Sequence, residues 1–252
     1  MKIKINREEN TSTTVDALIQ LKRHQPHIKI RWILLPLIML LLMYAWQQQF
    51  FTGWVLIPFI WTIIVGNNAL IARTRRKKLQ KIDELKIDAI FWNQFRNQYP
   101  ELGLKQRRLI ELGFKDYLAL HAMQQQAYAM PSHAVDALWH VMLEFPQQYQ
   151  QLCQQTLGRT LNHQPYDQNI KAEEQDRQLF EAWRYSCMLH GDHPRNTTQM
   201  PRLFAIDQAL NWNNGQYFEL EQMTKGYAKY LQDQSASSSS SCGSSCSSCG
   251  GD

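Results

Sequence analysis

Four side chains within His133–Phe145 have the types and spacing to do chemistry together: His133, Asp136, His140 and Glu144, spaced three, four and four. At 3.6 residues per turn these offsets fall on one face of a helix. Imidazole and carboxylate together suit zinc or iron, and helical bundles hold di-metal sites with ligands at such spacings. One helix supplies only part of a metal shell, because at least three ligands must converge from more than one segment. His163, in the loop that follows Gly158, is the candidate from a second segment. The competing reading is structural: an amphipathic helix needs a polar face, and an Asp136–His140 pair then tethers two turns. From the sequence alone the structural, metal-free reading is preferred, and zinc or iron is the alternative.

A second set of soft ligands lies at the end of the chain, where Cys242, Cys246 and Cys249 punctuate a Ser/Gly run. Three thiolates there could bind metal or respond to oxidation, against low-complexity sequence as the plainer reading. Cys153 and Cys187 fall in helical patterns and read as small core residues. An odd total of five cysteines argues for reduced thiols and against a disulfide framework. His190, Asp192 and His193 share a Gly/Pro loop that reads as a surface turn. No Gly-rich phosphate loop, nucleophile elbow or paired CxxC ribbon is present.

The elements that must position these residues are helical. Leu79, Ile82, Leu85, Ala89 and Trp92 recur at threes and fours, giving an amphipathic helix that ends near Tyr99-Pro100. Further helices are expected over Leu104–Tyr128, His133–Phe145 and Pro146–Leu157, with Ser132 as an N-cap and Gly158 as a left-handed cap. Gln168–Leu189, Pro201–Leu210 and Gln216–Gln232 complete the set. No stretch alternates with period two over any length, so the fold class is all-α. Trp139 lies in the middle of the apolar arc of its helix, beside Leu138 and Met142, and is expected in the core.

Ahead of this domain stand two uncharged apolar runs, Trp32–Trp46 and Phe50–Ala72, separated by Gln47–Gln49. A spanning helix needs about 20 apolar residues, so the runs predict a two-helix transmembrane hairpin. Lys22, Arg23, Lys29 and Arg31 precede it, and Arg73, Arg75, Arg76, Lys77, Lys78 and Lys81 follow it. Basic flanks on both sides predict two cytosolic termini and an exterior Gln48 in a bacterial cytoplasmic membrane. The expected organisation is an N-terminal arm (1–31), the hairpin (32–72), a basic juxtamembrane segment with its amphipathic helix (73–100), the helical domain (101–234) and a disordered Ser/Cys/Gly tail (235–252).

Charge divides in the same way. Residues 1–81 carry 13 Lys and Arg against 3 Asp and Glu, whereas residues 82–252 carry 14 against 19. The basic excess is accounted for by topology and by attraction to anionic lipid, and an acidic domain lacks the broad basic face of a nucleic-acid binder.

The run MPSHAVDALWHVMLEFPQQYQQLCQQTLGRTLNHQP resembles the signature of the glycine-rich domain-containing protein family. The resemblance rests on Pro131-Ser132, Val135-Asp136, Trp139-His140, Tyr149, Cys153, Gly158-Arg159 and His163 with Pro165. Trp183 and the PRLFAID run, Pro201 to Asp207, extend it, so that it covers about Phe91 to Leu210. Met142 departs from the pattern, standing where many relatives have a second histidine after the Trp-His pair. The resemblance implies a helical domain without an established activity, and the RNA association of some plant members belongs to a separate domain absent here.

The sequence therefore favours a membrane-anchored helical binding or scaffold domain, with membrane lipid and a protein as its partners and no nucleic acid. The alternatives are a metal-dependent enzyme using Asp136, His140 and His163, and a metal or redox sensor using the tail cysteines.

Overall fold

A computed structural model describes residues 13–24, 39, 44, 53–163 and 171–239. Among them are nine helices and no strand. These are α1 (13–20), α2 (Gly53–Glu84), α3 (Ala89–Gln98), α4 (Leu104–Met123), α5 (His133–Leu143), α6 (Pro146–Leu157), α7 (Ala172–Leu189), α8 (Arg202–Leu210) and α9 (Leu220–Ser239). The chain divides into two compact units, Gln25–Leu85 on one hand and Met1–His24 with Lys86–Asp252 on the other.

The larger unit is built around α4, which packs against α5, α6, α7 and α8. From Gly113 to Ala122 every residue of α4 is buried, as expected of a helix surrounded by others on all sides. Gly113 permits the closest approach. A β-carbon there would lie 2.2 Å from Ile206 Cδ1 and 2.7 Å from Val135 Cγ2, so any side chain there would force Ile206 and Val135 to shift. Trp139 is 3% exposed and lies in the core, as its place on the apolar arc requires.

Helix boundaries follow local chemistry. Ser132 caps α5, its Oγ accepting from the Val135 N–H at 3.2 Å. Pro146 opens α6, and Gly158 closes it in the left-handed region at φ 73°. Asp88 caps α3 by accepting from the Ile90 N–H, which separates α3 from α2 where periodicity had joined them. Helix α4 ends at Met123 and does not reach Tyr128; the following segment turns away, and the Tyr117 hydroxyl donates to the Tyr128 carbonyl at 3.1 Å.

The arm before the first apolar run belongs to this larger unit. Asp116 of α4, 1% exposed, accepts from Arg202 Nε at 2.7 Å and from Arg23 Nε at 2.6 Å. Arg202 also donates to the carbonyls of Leu18 and Leu21, and the His24 N–H donates to the Leu189 carbonyl. Burial opposes ionisation of Asp116, but Arg23 and Arg202 outweigh it and hold the carboxyl well below the usual carboxylate range.

The two-pass hairpin and its bacterial inner-membrane location are not supported. Among the described residues no helix is long and apolar enough to cross a membrane. The first run and Gln47–Gln49 lie outside the described residues, apart from Met39 and Tyr44. Residues 53–72 of the second run begin α2, whose uncharged part holds Asn67 and Asn68 and whose remainder carries the basic cluster from Arg73 to Lys81. The cytosolic orientation and the exterior Gln48, both deduced from the hairpin, fall with it.

Candidate metal centre

The N-terminus of α5 is fixed from a distance. Asp207 of α8, 1% exposed, accepts four hydrogen bonds. Its Oδ1 takes the Ser132 hydroxyl at 2.6 Å and the Ala134 N–H at 3.1 Å, and its Oδ2 takes the His133 and Gln216 N–H groups, both at 2.8 Å. A buried carboxylate thus satisfies the first free N–H groups of the helix and favours its positive end. Asp136 follows within that first turn.

A second set of bonds fixes the loop after α6. Trp139 Nε1–H donates to the Tyr149 hydroxyl at 2.8 Å, and that hydroxyl donates to the Leu161 carbonyl at 2.7 Å. With Gly158 reversing the chain, this clamp ties residues 158–163 to the face of α5 that carries Asp136 and His140. Burial lifts the pKa of the Tyr149 hydroxyl far above its ordinary range, so it stays protonated and can donate.

The clamp delivers His163 to Asp136. His163 Nε2 lies 3.1 Å from Asp136 Oδ1, and His140 Nε2 lies 3.3 Å from Asp136 Oδ2. One potential ligand atom from each of the three residues falls within 4.8 Å of the others. The His140 and His163 rings are 4.5 Å apart between centroids, and Trp139 packs edge-on against His163 at 4.6 Å. The His163 side chain is 13% exposed, Asp136 29% and His140 58%, so the group sits at a mouth and not in the core.

The other two members of the strip face elsewhere. Glu144 accepts from the Gln94 and Gln98 side chains of α3, and His133 Nδ1 lies 2.6 Å from the Asn214 carbonyl oxygen. His190, Asp192 and His193 do not converge either. The His190 side chain is buried near Asp116, Asp192 accepts from Thr197 and Gln199, and His193 Nδ1 accepts from the Arg195 N–H. Cys153 and Cys187 are buried, and burial raises both thiols, Cys187 to about 12. Neither supplies a thiolate at neutral pH. Cys242, Cys246 and Cys249 lie outside the described residues.

Asp136 and His163 border a cleft of about 680 Å³ whose lining also includes Tyr117, His121, Trp139 and Arg159. His121 is 5% exposed, and both its ring nitrogens are without a hydrogen-bond partner. Burial, reinforced by the Arg159 charge, lowers its pKa to about 3 and keeps the ring neutral.

Residues 77–245, well over half of the chain, match the model of the UCP032817-like family. The chain belongs to the UCP032817-like family. This corrects the resemblance to the glycine-rich domain-containing proteins, which rested on a few residue types at set intervals. No curated protein and no solved structure matches the chain. The span matched by the UCP032817-like family holds the cleft, the three converging ligands and Asp207, so the site lies wholly within the part that the family shares.

Four positions of the candidate site were not singled out from the sequence. Arg159, Tyr149 and Asp207 appeared only within the runs that carried the resemblance, and His121 did not appear at all. A polar residue inside the otherwise apolar last turns of its helix, Tyr117–Met123, was the available signal for His121. Asp207 had a similar signal, a lone acid beside Ile206 on a short helix whose other polar residues are Arg202 and Gln208.

Proposed function

We propose that the helical unit is a metal-dependent domain that holds a divalent transition-metal ion through Asp136, His140 and His163, with a cleft beside it for a small polar molecule. The observation that carries the reading is the approach of two imidazole Nε2 atoms, from separate segments, to the two oxygens of one carboxylate at 3.1 and 3.3 Å. With metal–ligand bonds of about 2.0–2.2 Å, the edge of a tetrahedral site measures about 3.4 Å. Small movements therefore suffice to accept an ion. Two nitrogens and one carboxylate suit zinc or iron(II). Three protein ligands leave at least one position for water or substrate, which is the arrangement of working centres and not of closed structural ones.

The membrane-anchored scaffold favoured from sequence drew its anchor from the hairpin and is not the reading adopted. A calorimetric titration of zinc into the full chain tests the proposal, with Cys242, Cys246 and Cys249 changed to serine to silence the tail. One site per chain is expected, weakened at least about tenfold by Asp136→Ala, His140→Ala or His163→Ala. Absence of binding, or binding that survives all three substitutions, would overturn it.

A further inference from the structure

The lining of the cleft carries more than the three ligands need. Arg159 stands on it, delivered by the same loop as His163, and makes no hydrogen bond or ion pair among the described residues. His121 lines it from α4, more than nine-tenths buried, with both ring nitrogens unpartnered. Buried polar atoms are almost always satisfied, and an orphan typically costs about 1–3 kcal/mol. A guanidinium that makes no ion pair among the described residues and an imidazole without a hydrogen-bond partner, lining one cleft, describe an unfilled anion subsite. We propose that Arg159 and His121 receive the carboxylate of a small organic acid whose other end reaches the metal centre.

Charge selects the carboxylate among anions. Among the described residues of the lining the acids are Asp136 and Asp176, and the cation is Arg159. A divalent ion on the ligand triad then leaves these described groups with one positive charge. One carboxylate neutralises it, whereas a phosphate dianion overshoots and usually recruits more than one cation. The guanidinium fork matches a carboxylate in two parallel hydrogen bonds. Neutral His121 adds one N–H donor without adding charge. Tyr117, Trp139 and Phe218 supply apolar wall for the body of the molecule, as small-molecule sites usually do.

The inference rests on the metal reading for the far end of the ligand and on Arg159 and His121 for the near end, so the two are separable. The test titrates succinate, benzoate and inorganic phosphate into the full chain with the tail cysteines changed to serine. Each is followed by tryptophan fluorescence, once with zinc and once with chelator. At least one carboxylate is expected to bind with a millimolar or tighter Kd, more tightly than phosphate, and to lose at least tenfold in Arg159→Gln. Arg159→Lys, which keeps the charge and loses the fork, should fall between the two. His121→Phe should weaken the same carboxylate while leaving zinc binding in place. If zinc binds and neither carboxylate does, or if Arg159→Gln changes nothing, the inference fails and the metal reading stands. If a carboxylate binds through Arg159 in chelator and zinc never binds, the metal reading fails and the subsite stands. Tighter binding of phosphate than of either carboxylate overturns the choice of ligand.

Discussion

Replacing Asp207 by asparagine changes one atom and should break the support of the α5 N-terminus. In the native protein, Oδ1 accepts from the Ser132 hydroxyl and the Ala134 N–H, and Oδ2 accepts from the His133 and Gln216 N–H groups. Asparagine offers one acceptor oxygen, and in either amide orientation its NH2 faces at least one backbone N–H. The gentler orientation turns the NH2 toward Ser132, whose hydroxyl can rotate to accept, and leaves the Ala134 N–H unsatisfied. A buried orphan of that kind costs about 1–3 kcal/mol. Loss of a negative charge at a helix N-terminus adds about 0.3–1 kcal/mol. The expected cost of Asp207→Asn is therefore about 1.3–4 kcal/mol, read as a drop in urea midpoint by tryptophan fluorescence of the full chain. Ser132→Ala, which removes a cap and one of the four donors, should cost about 1 kcal/mol. Because Asp136 lies in the turn that Asp207 secures, Asp207→Asn should weaken zinc as well. A cost below about 0.5 kcal/mol, or a larger effect from Ser132→Ala, would refute the assignment of Asp207 as the anchor of the site.

Tyr149→Phe removes the hydroxyl that joins Trp139 to the Leu161 carbonyl and leaves two buried groups unpartnered, at a cost of about 1–3 kcal/mol for each in denaturant titration. Zinc affinity should fall with it, since His163 is held by that loop, and unchanged affinity would show that the clamp does not position the ligand. Acid should destabilise the fold in two windows. His121, with a folded pKa lowered to about 3 by burial and then by Arg159, contributes stability that is complete above its ordinary value of 6.5. As pH falls from there toward 3, the unfolded chain takes up a proton that the folded chain refuses, at about 1.4 kcal/mol per pH unit. His121→Phe should flatten this limb in urea midpoints measured between pH 7 and pH 4.5, and an unchanged slope would contradict a neutral buried ring. Asp116 acts lower. Its contribution is complete above about pH 3.8 and declines as pH falls below that value, so Asp116→Asn should remove the steepest acid loss and release protease-sensitive residues 13–24.

The helical framework was legible because its signals are local. Ser132, Pro146 and Gly158 act on their own helix ends, and the apolar arc through Leu138, Trp139 and Met142 needed only the period of a helix. The Asp136–His140 spacing was legible for the same reason, and the loop after Gly158 made His163 a natural third member. What the sequence could not decide is which members of the polar strip stay together. His133 is drawn off by Asn214 and Glu144 by Gln94 and Gln98, residues 81, 50 and 46 positions away. Asp207 acts 74 positions from the helix it caps, and the arm 13–24, whose Val15, Leu18 and Ile19 read only as a short amphipathic helix, is held to the domain by buried arginines and backbone carbonyls. The hairpin rested on counting uncharged residues, and among the described residues no helix is long and apolar enough to cross a membrane.

The central claim is that a metal ion sits on Asp136, His140 and His163, and X-ray absorption at the zinc edge of the zinc-loaded, otherwise native full chain tests it most directly. The account predicts a first shell of nitrogen and oxygen at about 2.0–2.1 Å, with outer-shell scattering from two imidazoles that drops to one in His163→Ala. A sulfur shell at about 2.3 Å would place the ion on the tail cysteines and contradict the account.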